Sequence, residues 1–216
     1  MPAPLSFTRL SAAVFAVLAA VLAAGCADRA PAEPLPFAQL RAEWETAVAR
    51  KDSLFRSAGT PLLPADTAAF DGLPHFPYDT TFVFAPRLTP TFTTDTLLLT
   101  TSTGTARPFT HAGLLSFTYD DRPFQLTAFR PALLGPPTLF IPFRDASSGR
   151  ATYGAGRYLE LQEQPDGRYL LDFNFATTPY CAFNPQYVCP LPPAENLLPF
   201  EVLAGERVTG SLDIAG

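Results

Sequence analysis

The sequence is poor in lysine and has no cluster of basic residues. Lys51 is its only lysine, the remaining basic residues are scattered arginines, and the formal net charge is −5 at pH 7. Nucleic-acid binding depends on grouped Lys and Arg side chains that neutralise phosphates. The sequence therefore predicts no nucleic-acid partner.

Motifs of common catalytic and nucleotide-binding sites are also missing. His75 and His111 are the only histidines, and neither has a partner at metal-ligand spacing. Residues 147–149 lack the G-x-S-x-G elbow of serine hydrolases, and residues 154–156 lack the six-residue glycine fingerprint that precedes a phosphate-binding helix. We predict no cofactor, no serine hydrolase and no histidine-based metal site.

The start of the chain has an apolar run from Leu10 to Gly25. One arginine precedes it, and no acidic residue occurs before Asp28. A short positive region, an apolar stretch of about 15 residues and small residues at a cut site are typical of a secretory signal. A membrane span needs roughly 20 residues. The cysteine after Gly25 makes this segment resemble a bacterial lipoprotein signal, which implies that residues 1–25 are removed and that Cys26 carries a membrane-anchoring lipid.

The alternative is an ordinary secretory signal, with Cys26 an incidental thiol, because Ala23 stands where leucine is commoner in lipoprotein signals. Residues 26–36 are rich in Pro and Ala and lack apolar periodicity. They predict a semi-stiff tether, compatible with a disordered terminus. Residues 37–216 are long enough for one core and are predicted to form a single β-rich domain. The protein is therefore expected to be exported and lipid-anchored to a cell-envelope membrane.

One helix and many short strands are predicted. The 24 prolines disfavour long helices, and the 19 phenylalanines suit a half-buried pleated surface. Apolar residues recur at three- and four-residue steps from Phe37 to Phe55, between Pro36 and Gly59, which predicts a helix with one apolar face. Trp44 lies in the middle of that face as a core anchor.

Beyond Pro64 the apolar period shortens towards two. The predicted strands cover residues 81–84, 96–100, 114–119, 124–129, 138–143, 157–161, 169–173 and 200–203. Turns are predicted at Asp120–Asp121 and at Asp166–Gly167. No second long helix is available for parallel crossovers. The predicted fold class is all-β, or β-rich α+β: an antiparallel sandwich or partly open barrel with one N-terminal helix packed on it.

Residues 139–207 contain a dense series of polar, glycine and proline segments. They include LFIPFRD (139–145), TYGAGRYL (152–159), LDFN (171–174), CAFNP (181–185), CPLPPAEN (189–196) and AGE (204–206). In their order and spacing the chain resembles the bacterial family known as domain of unknown function 1684. A weaker resemblance extends upstream through LPHFP (73–77) and the helix. The resemblance implies one fold unit over nearly the whole mature chain. It implies no activity, because the family has none established.

Two cysteines remain if Cys26 is lipidated. An even pair in an exported protein predicts a disulfide between Cys181 and Cys189, with a turn at Asn184–Pro185 between them. Two alternatives stay open. A metal or reactive-thiol site is one, although two thiolates need two further ligands to complete a metal site. Two unpaired buried thiols are the other.

Polar side chains in the same region form a candidate ligand site. Tyr153 and Arg157 share a face in an unbulged strand, as do Asp172 and Asn174. An arginine fork between apolar walls suits a carboxylate or phosphate. The alternative is that these side chains satisfy buried backbone groups. The candidate ligand-binding residues are Asp145, Tyr153, Arg157, Asp172, Asn174, Glu195 and Asn196.

Three functions follow from these observations. The first is a membrane-tethered module that binds a small polar or anionic ligand beside Arg157 and Asp172. The second is an enzyme, hydrolase-like or other, that uses Asp172, Glu195 and Cys181 as acid, base or nucleophile. The third is a lipoprotein that docks on an envelope partner through residues 185–193.

Overall fold

The computed structural model describes residues 35–91, 96–132 and 138–208, and within them it has one α-helix, α1 (Phe37–Phe55). The predicted apolar face is largely correct, since Leu40 and Phe55 are buried and Trp44 is half-buried. Phe37 and Leu54, also assigned to that face, are about two-fifths exposed. No helix in the described ranges has the length and apolarity needed to cross a bilayer. The predicted signal peptide and residues 26–34 of the predicted tether lie outside these ranges.

Eight strands in the described ranges form two antiparallel sheets. Their bounds are β1 (Val83–Phe84), β2 (Leu88–Pro90), β3 (Thr96–Thr100), β4 (Ala106–Tyr119), β5 (Arg122–Pro131), β6 (Leu139–Phe143), β7 (Arg157–Leu161) and β8 (Leu171–Asp172). The larger sheet has the order β2-β4-β5-β6-β7, with β3 also paired to β4, while β1 and β8 form a two-stranded sheet. The structure is thus β-rich, with two antiparallel sheets and one helix near the N-terminus, as predicted.

The long strand β4 pairs with two short strands on the same side. Its first half pairs with β3, and its second half pairs with β2 beyond a bulge between His111 and Gly113. Gly113 has φ +151°, and a Cβ there would lie 2.3 Å from the carbonyl oxygen of Thr89. Only glycine allows β2 to approach this closely. At the far end of β4, Asp120 and Asp121 have φ values of 49° and 56°, which makes the predicted tight hairpin to β5.

Several predicted strand bounds were wrong. Residues 200–203 form no strand, the segment at 169–173 is reduced to β8, and β2 was not predicted. The segment after Asn196 instead contacts the loop after β6. The amide of Leu198 donates to the carbonyl of Arg144, and the amide of Ala146 donates to the carbonyl of Phe200. Within residues 200–203, side chains bond the backbone of Val202: its carbonyl accepts from Arg157 and its amide donates to Asp145.

Strand alternation separates the two faces of the larger sheet. The inward side chains of β6 and β7 join the main core, whose most buried members include Leu115, Leu126, Ile141, Leu159, Leu171, Phe173 and Val202. A smaller cluster, centred on Phe109 and Phe129, packs beside Phe140 of β6. Tyr158 and Glu160 of β7 alternate with its buried residues and line an external groove.

Candidate functional site

Arg157 and Asp145 form a fully buried ion pair. The Arg157 side chain has no exposed surface, and its Nη2 lies 3.1 Å from Oδ2 of Asp145. The guanidinium also donates to the carbonyls of Val202, Ala204 and Glu206. Oδ1 of Asp145 accepts from the amides of Ser147 and Val202. The guanidinium therefore ties the segment 202–206 to β7, in line with the structural alternative for this pair.

Asp172 and Asn174 form a second, separate network. Oδ1 of Asp172 accepts from the backbone amide and the side-chain amide of Asn174, at 2.9 and 2.8 Å, and Oδ2 accepts from the Tyr78 hydroxyl at 3.0 Å. The Asn174 side chain in turn bonds the backbone amide and carbonyl of Asp79. Burial raises the pKa of Asp172, while its hydrogen bonds from Asn174 and Tyr78 act in the opposite direction.

Replacing Asp172 by Asn is expected to cost about 1 kcal/mol at about pH 4, because the hydrogen bond with Tyr78 must be rearranged. The raised pKa means that the folded state holds the proton more tightly than the unfolded chain. The parent therefore loses stability as pH rises above about 3.9, the unfolded pKa, whereas the side-chain amide introduced by Asp172→Asn does not titrate. The stability gap between parent and variant should narrow towards neutral pH.

Denaturant titrations of parent and Asp172→Asn at about pH 4 and at neutral pH measure the difference in their free energies of unfolding. Asp71→Asn, at an exposed aspartate, is the matched control and should show little change. A gap that widens with rising pH would contradict the assigned direction of the pKa shift.

The remaining candidates do not join either network. Asn196 is fully buried, accepts from the amide of Thr127 and donates to the carbonyls of Thr127 and Pro142, so it bridges β5 and β6. Tyr153 packs among Phe55, Leu62 and Phe183, while Glu195 is exposed.

The enzyme hypothesis had placed Asp172, Glu195 and Cys181 in one site. Among the described residues, Asp172 and Cys181 bond different partners, and no hydrogen bond or ion pair joins either of them to Glu195. The side chains proposed as acid, base and nucleophile therefore share no hydrogen-bond network.

A large groove lies between α1 and the outward face of the larger sheet. This α1 groove has a volume of about 1430 Å³ and none of the seven predicted ligand residues lines it. Its sheet side includes Arg107 and Phe109 of β4, Phe140 of β6, and Tyr158 and Glu160 of β7. Its other walls are α1 and residues 175–190, so the segment proposed to dock on a partner contributes to the groove.

An aromatic row follows the sheet side of the α1 groove. The Phe109 and Phe140 rings stack with centroids 5.4 Å apart, and Tyr158 meets Phe140 edge-on at 4.8 Å. Arg107 lies two residues before Phe109 on β4 and so projects from the same face. The groove thus combines an apolar wall with an arginine next to it.

Charged side chains from α1 and from the larger sheet line the same groove. Lys51 is bound to the buried carboxylate of Glu206 at 2.5 Å. Arg50 and Arg107 have no ion-pair partner among the described residues, and their side chains are exposed. These two guanidinium groups are available to an anionic ligand.

Cys181 and Cys189 are neighbours at the wall of the groove, as free thiols and not as the predicted disulfide. The backbone amide of Cys181 donates to Sγ of Cys189 at 3.2 Å. Cys189 lines the groove, whereas Cys181 does not. The two cysteines that were predicted to pair are therefore close together. Their oxidation to a disulfide stays a prediction.

Sequence reasoning missed Arg107, Tyr158 and Glu160 as site residues. A signal for the last two was present, because Tyr158 and Glu160 alternate with inward residues in a strand whose bounds were predicted correctly. Arg50 also falls within the predicted helix. No local pattern reveals that α1 faces β7, since the contacts that fix its position come from distant segments.

Comparison with known proteins extends the resemblance found in residues 139–207. The family described as "Protein of unknown function (DUF1684)" matches residues 68–207, which include all eight strands and both cysteines of the pair. A similar solved structure is the solution NMR structure of an uncharacterized protein of Haloarcula marismortui. It has 35% sequence identity, a TM-score of 0.64, and coverage of 80% of this chain and 96% of that chain. No match was found among curated proteins.

Proposed function

The chain belongs to the DUF1684 family of proteins of unknown function, and from that premise we propose that it is a ligand-binding module. The α1 groove is the binding site, and its ligand is a small amphipathic anion with an apolar body and a carboxylate or phosphate head. The observation that carries this proposal is the juxtaposition of the aromatic row with Arg107 in one large groove.

The volume and the lining of the groove support a ligand with an extended apolar part. Binding pockets for small molecules usually have volumes of about 300–1,000 Å³ and mostly apolar walls. The α1 groove is larger, at about 1430 Å³. Phe109, Phe140 and Tyr158 supply a continuous surface along which an alkyl or aromatic body can pack.

The charge distribution supports an anionic head group beside Arg107. Arginine forms paired hydrogen bonds with carboxylate and phosphate oxygens. Lys51 is already neutralised by Glu206, and Glu43 and Glu160 also line the groove. The two acidic side chains disfavour an anion close to them. Of the two available arginines, Arg107 is the one two residues from Phe109 of the aromatic row, so the head group is expected beside Arg107.

Decanoate and its uncharged counterpart decanol test this proposal by isothermal titration calorimetry. Decanoate is expected to bind more tightly than decanol. Arg107→Gln should weaken decanoate binding by about fivefold, the effect of losing an exposed ion pair of about 1 kcal/mol, and should leave decanol binding unchanged.

Arg122→Gln is the matched control, because Arg122 is exposed at the β4–β5 turn and does not line the groove. It should bind both compounds as the parent does. The proposal is wrong if neither compound binds saturably, or if Arg107→Gln weakens decanol and decanoate equally.

We also propose that this module is tethered to a bacterial cell-envelope membrane by lipid on Cys26. The support is the sequence from Leu10 to Cys26, with its apolar run, its small residues before the cysteine and its lack of acidic residues. Residues 26–36, rich in Pro and Ala, would space the domain from the bilayer.

A further inference from the structure

We propose that Cys181 and Cys189 form a thiol–disulfide exchange site at the wall of the α1 groove, with a low-molecular-weight organic disulfide as co-reactant. Cys189 is the attacking thiolate and Cys181 the resolving thiol. This activity goes beyond ligand binding and does not depend on the amphipathic anion proposed for the groove.

The first support is the placement of the two sulfurs on separately anchored segments. Cys181 lies in a one-turn 3₁₀-helix (Tyr180–Ala182), and its amide points at Sγ of Cys189. Cys189 is fixed to Ser102 by two bonds: its amide donates to the Ser102 hydroxyl at 3.1 Å, and its carbonyl accepts from the Ser102 amide at 2.8 Å. The sulfurs are thus held side by side.

The second support is that only one of the two thiols lines the groove. The two residues are buried to a similar degree, with 9% of Cys181 and 7% of Cys189 exposed. Cys189 nevertheless lines the α1 groove beside Tyr158, whereas Cys181 does not line it. A small disulfide in the groove therefore meets Cys189 first.

The electrostatic environment assigns the same roles. The neighbouring Cys181 thiol lowers the pKa of Cys189, as do the Cys181 amide, Tyr158 and Arg107, although burial opposes this. The hydrogen bond with Cys189, reinforced by burial, raises the pKa of Cys181. Cys189 lines the groove and its Sγ accepts from the Cys181 amide, so Cys189 is the attacking residue, since the thiolate is the nucleophile in exchange.

The proposed reaction has two steps. The Cys189 thiolate attacks one sulfur of the disulfide RSSR, so that a Cys189–S–S–R bond forms, the RS–SR bond breaks and RS⁻ leaves. The Cys181 thiol then loses its proton and attacks Sγ of Cys189, releasing the second RS⁻. Two protein thiols are oxidised to one disulfide, and RSSR is reduced to two RSH once both leaving groups are protonated.

The alternative of a metal site has less support. Within residues 35–91, 96–132 and 138–208, no group of three or more His, Cys, Asp or Glu side chains is placed to hold a metal ion. Two thiolates alone leave a tetrahedral site half complete. Exchange chemistry, in contrast, needs only the two adjacent sulfurs.

The test uses the reduced full-length chain with Cys26→Ser, in which Cys181 and Cys189 are the only cysteines, and 2-hydroxyethyl disulfide as the probe. Mass spectrometry of the folded protein should show an intramolecular disulfide without a lasting adduct. Cys181→Ser should accumulate one stable adduct on Cys189. Cys189→Ser should form an adduct on Cys181 at a rate about tenfold lower or slower still.

Two further measurements keep both Cys181 and Cys189, so their results do not depend on whether the variants fold. Limiting iodoacetamide followed by peptide mapping should label Cys189 before Cys181. The oxidised form should be reduced by dithiothreitol while folded. Equal labelling of both cysteines, equal adduct rates in the two variants, or a bond that is reduced only after unfolding would each overturn the proposal.

Discussion

Arg157→Met is expected to lower the melting temperature by roughly 10 °C. The guanidinium is fully buried between the Asp145 carboxylate and the carbonyls of the 202–206 segment. Removing it leaves a buried carboxylate without its counter-charge, which typically costs about 3–5 kcal/mol. For a chain of this size, each kcal/mol corresponds to about 2–4 °C. Differential scanning calorimetry of parent and variant measures the effect.

Arg150→Met is the matched control for that experiment. Arg150 forms an ion pair with Glu201 at 2.6 Å, but the two side chains are 67% and 44% exposed. An exposed pair contributes at most about 1 kcal/mol, so this variant should melt within a few degrees of the parent. Melting of Arg157→Met within a degree of the parent would contradict a structural role and return the Arg157–Asp145 pair to the candidate ligand sites.

Cys26→Ser is expected to abolish lipid labelling and to move the protein from the membrane fraction to the soluble fraction. The proposed lipid is attached through the cysteine sulfur, and each buried CH₂ group of an acyl chain contributes about 0.8 kcal/mol to membrane binding. No other residue can replace this attachment in the proposed mechanism. Incorporation of radioactive palmitate and ultracentrifugation measure the two effects.

The chain supplies its own control for the lipid experiment. Cys181→Ser removes a different cysteine and should leave both labelling and fractionation unchanged. Unchanged labelling of Cys26→Ser, or a parent protein that is already soluble, would support the ordinary secretory signal instead.

Elements with a clean local pattern could be predicted from the sequence. The predicted ranges 96–100 and 157–161 coincide with β3 and β7, and α1 begins after Pro36 as expected. The apolar segment 200–203 has similar local character but forms no strand. Arg157, 45 residues upstream of Val202 in the sequence, supplies a hydrogen bond to that segment from its side chain, and a periodicity argument has no access to such a partner.

The candidate site shows the same division between local and distant causes. The polar residues among phenylalanines were predicted to form a ligand site, but Arg157 faces Asp145 and Asp172 faces Asn174 inside the fold. The position of the α1 groove depends on α1, which is held by bonds that span 130 and 155 residues of sequence, from Trp44 to Asn174 and from Lys51 to Glu206. These contacts cannot be predicted from local sequence patterns.

The sparse attachment of α1 has a consequence for ligand binding. Only Leu40 and Phe55 of its side chains are fully buried, and the helix lies outside the residues matched by the family. A segment with few buried contacts opens at a lower free energy than the core. Because α1 forms one wall of the groove, opening of the helix dismantles the site, and observed affinity equals intrinsic affinity multiplied by the docked fraction of molecules. Ligand binding and helix docking therefore reinforce each other as one linked equilibrium.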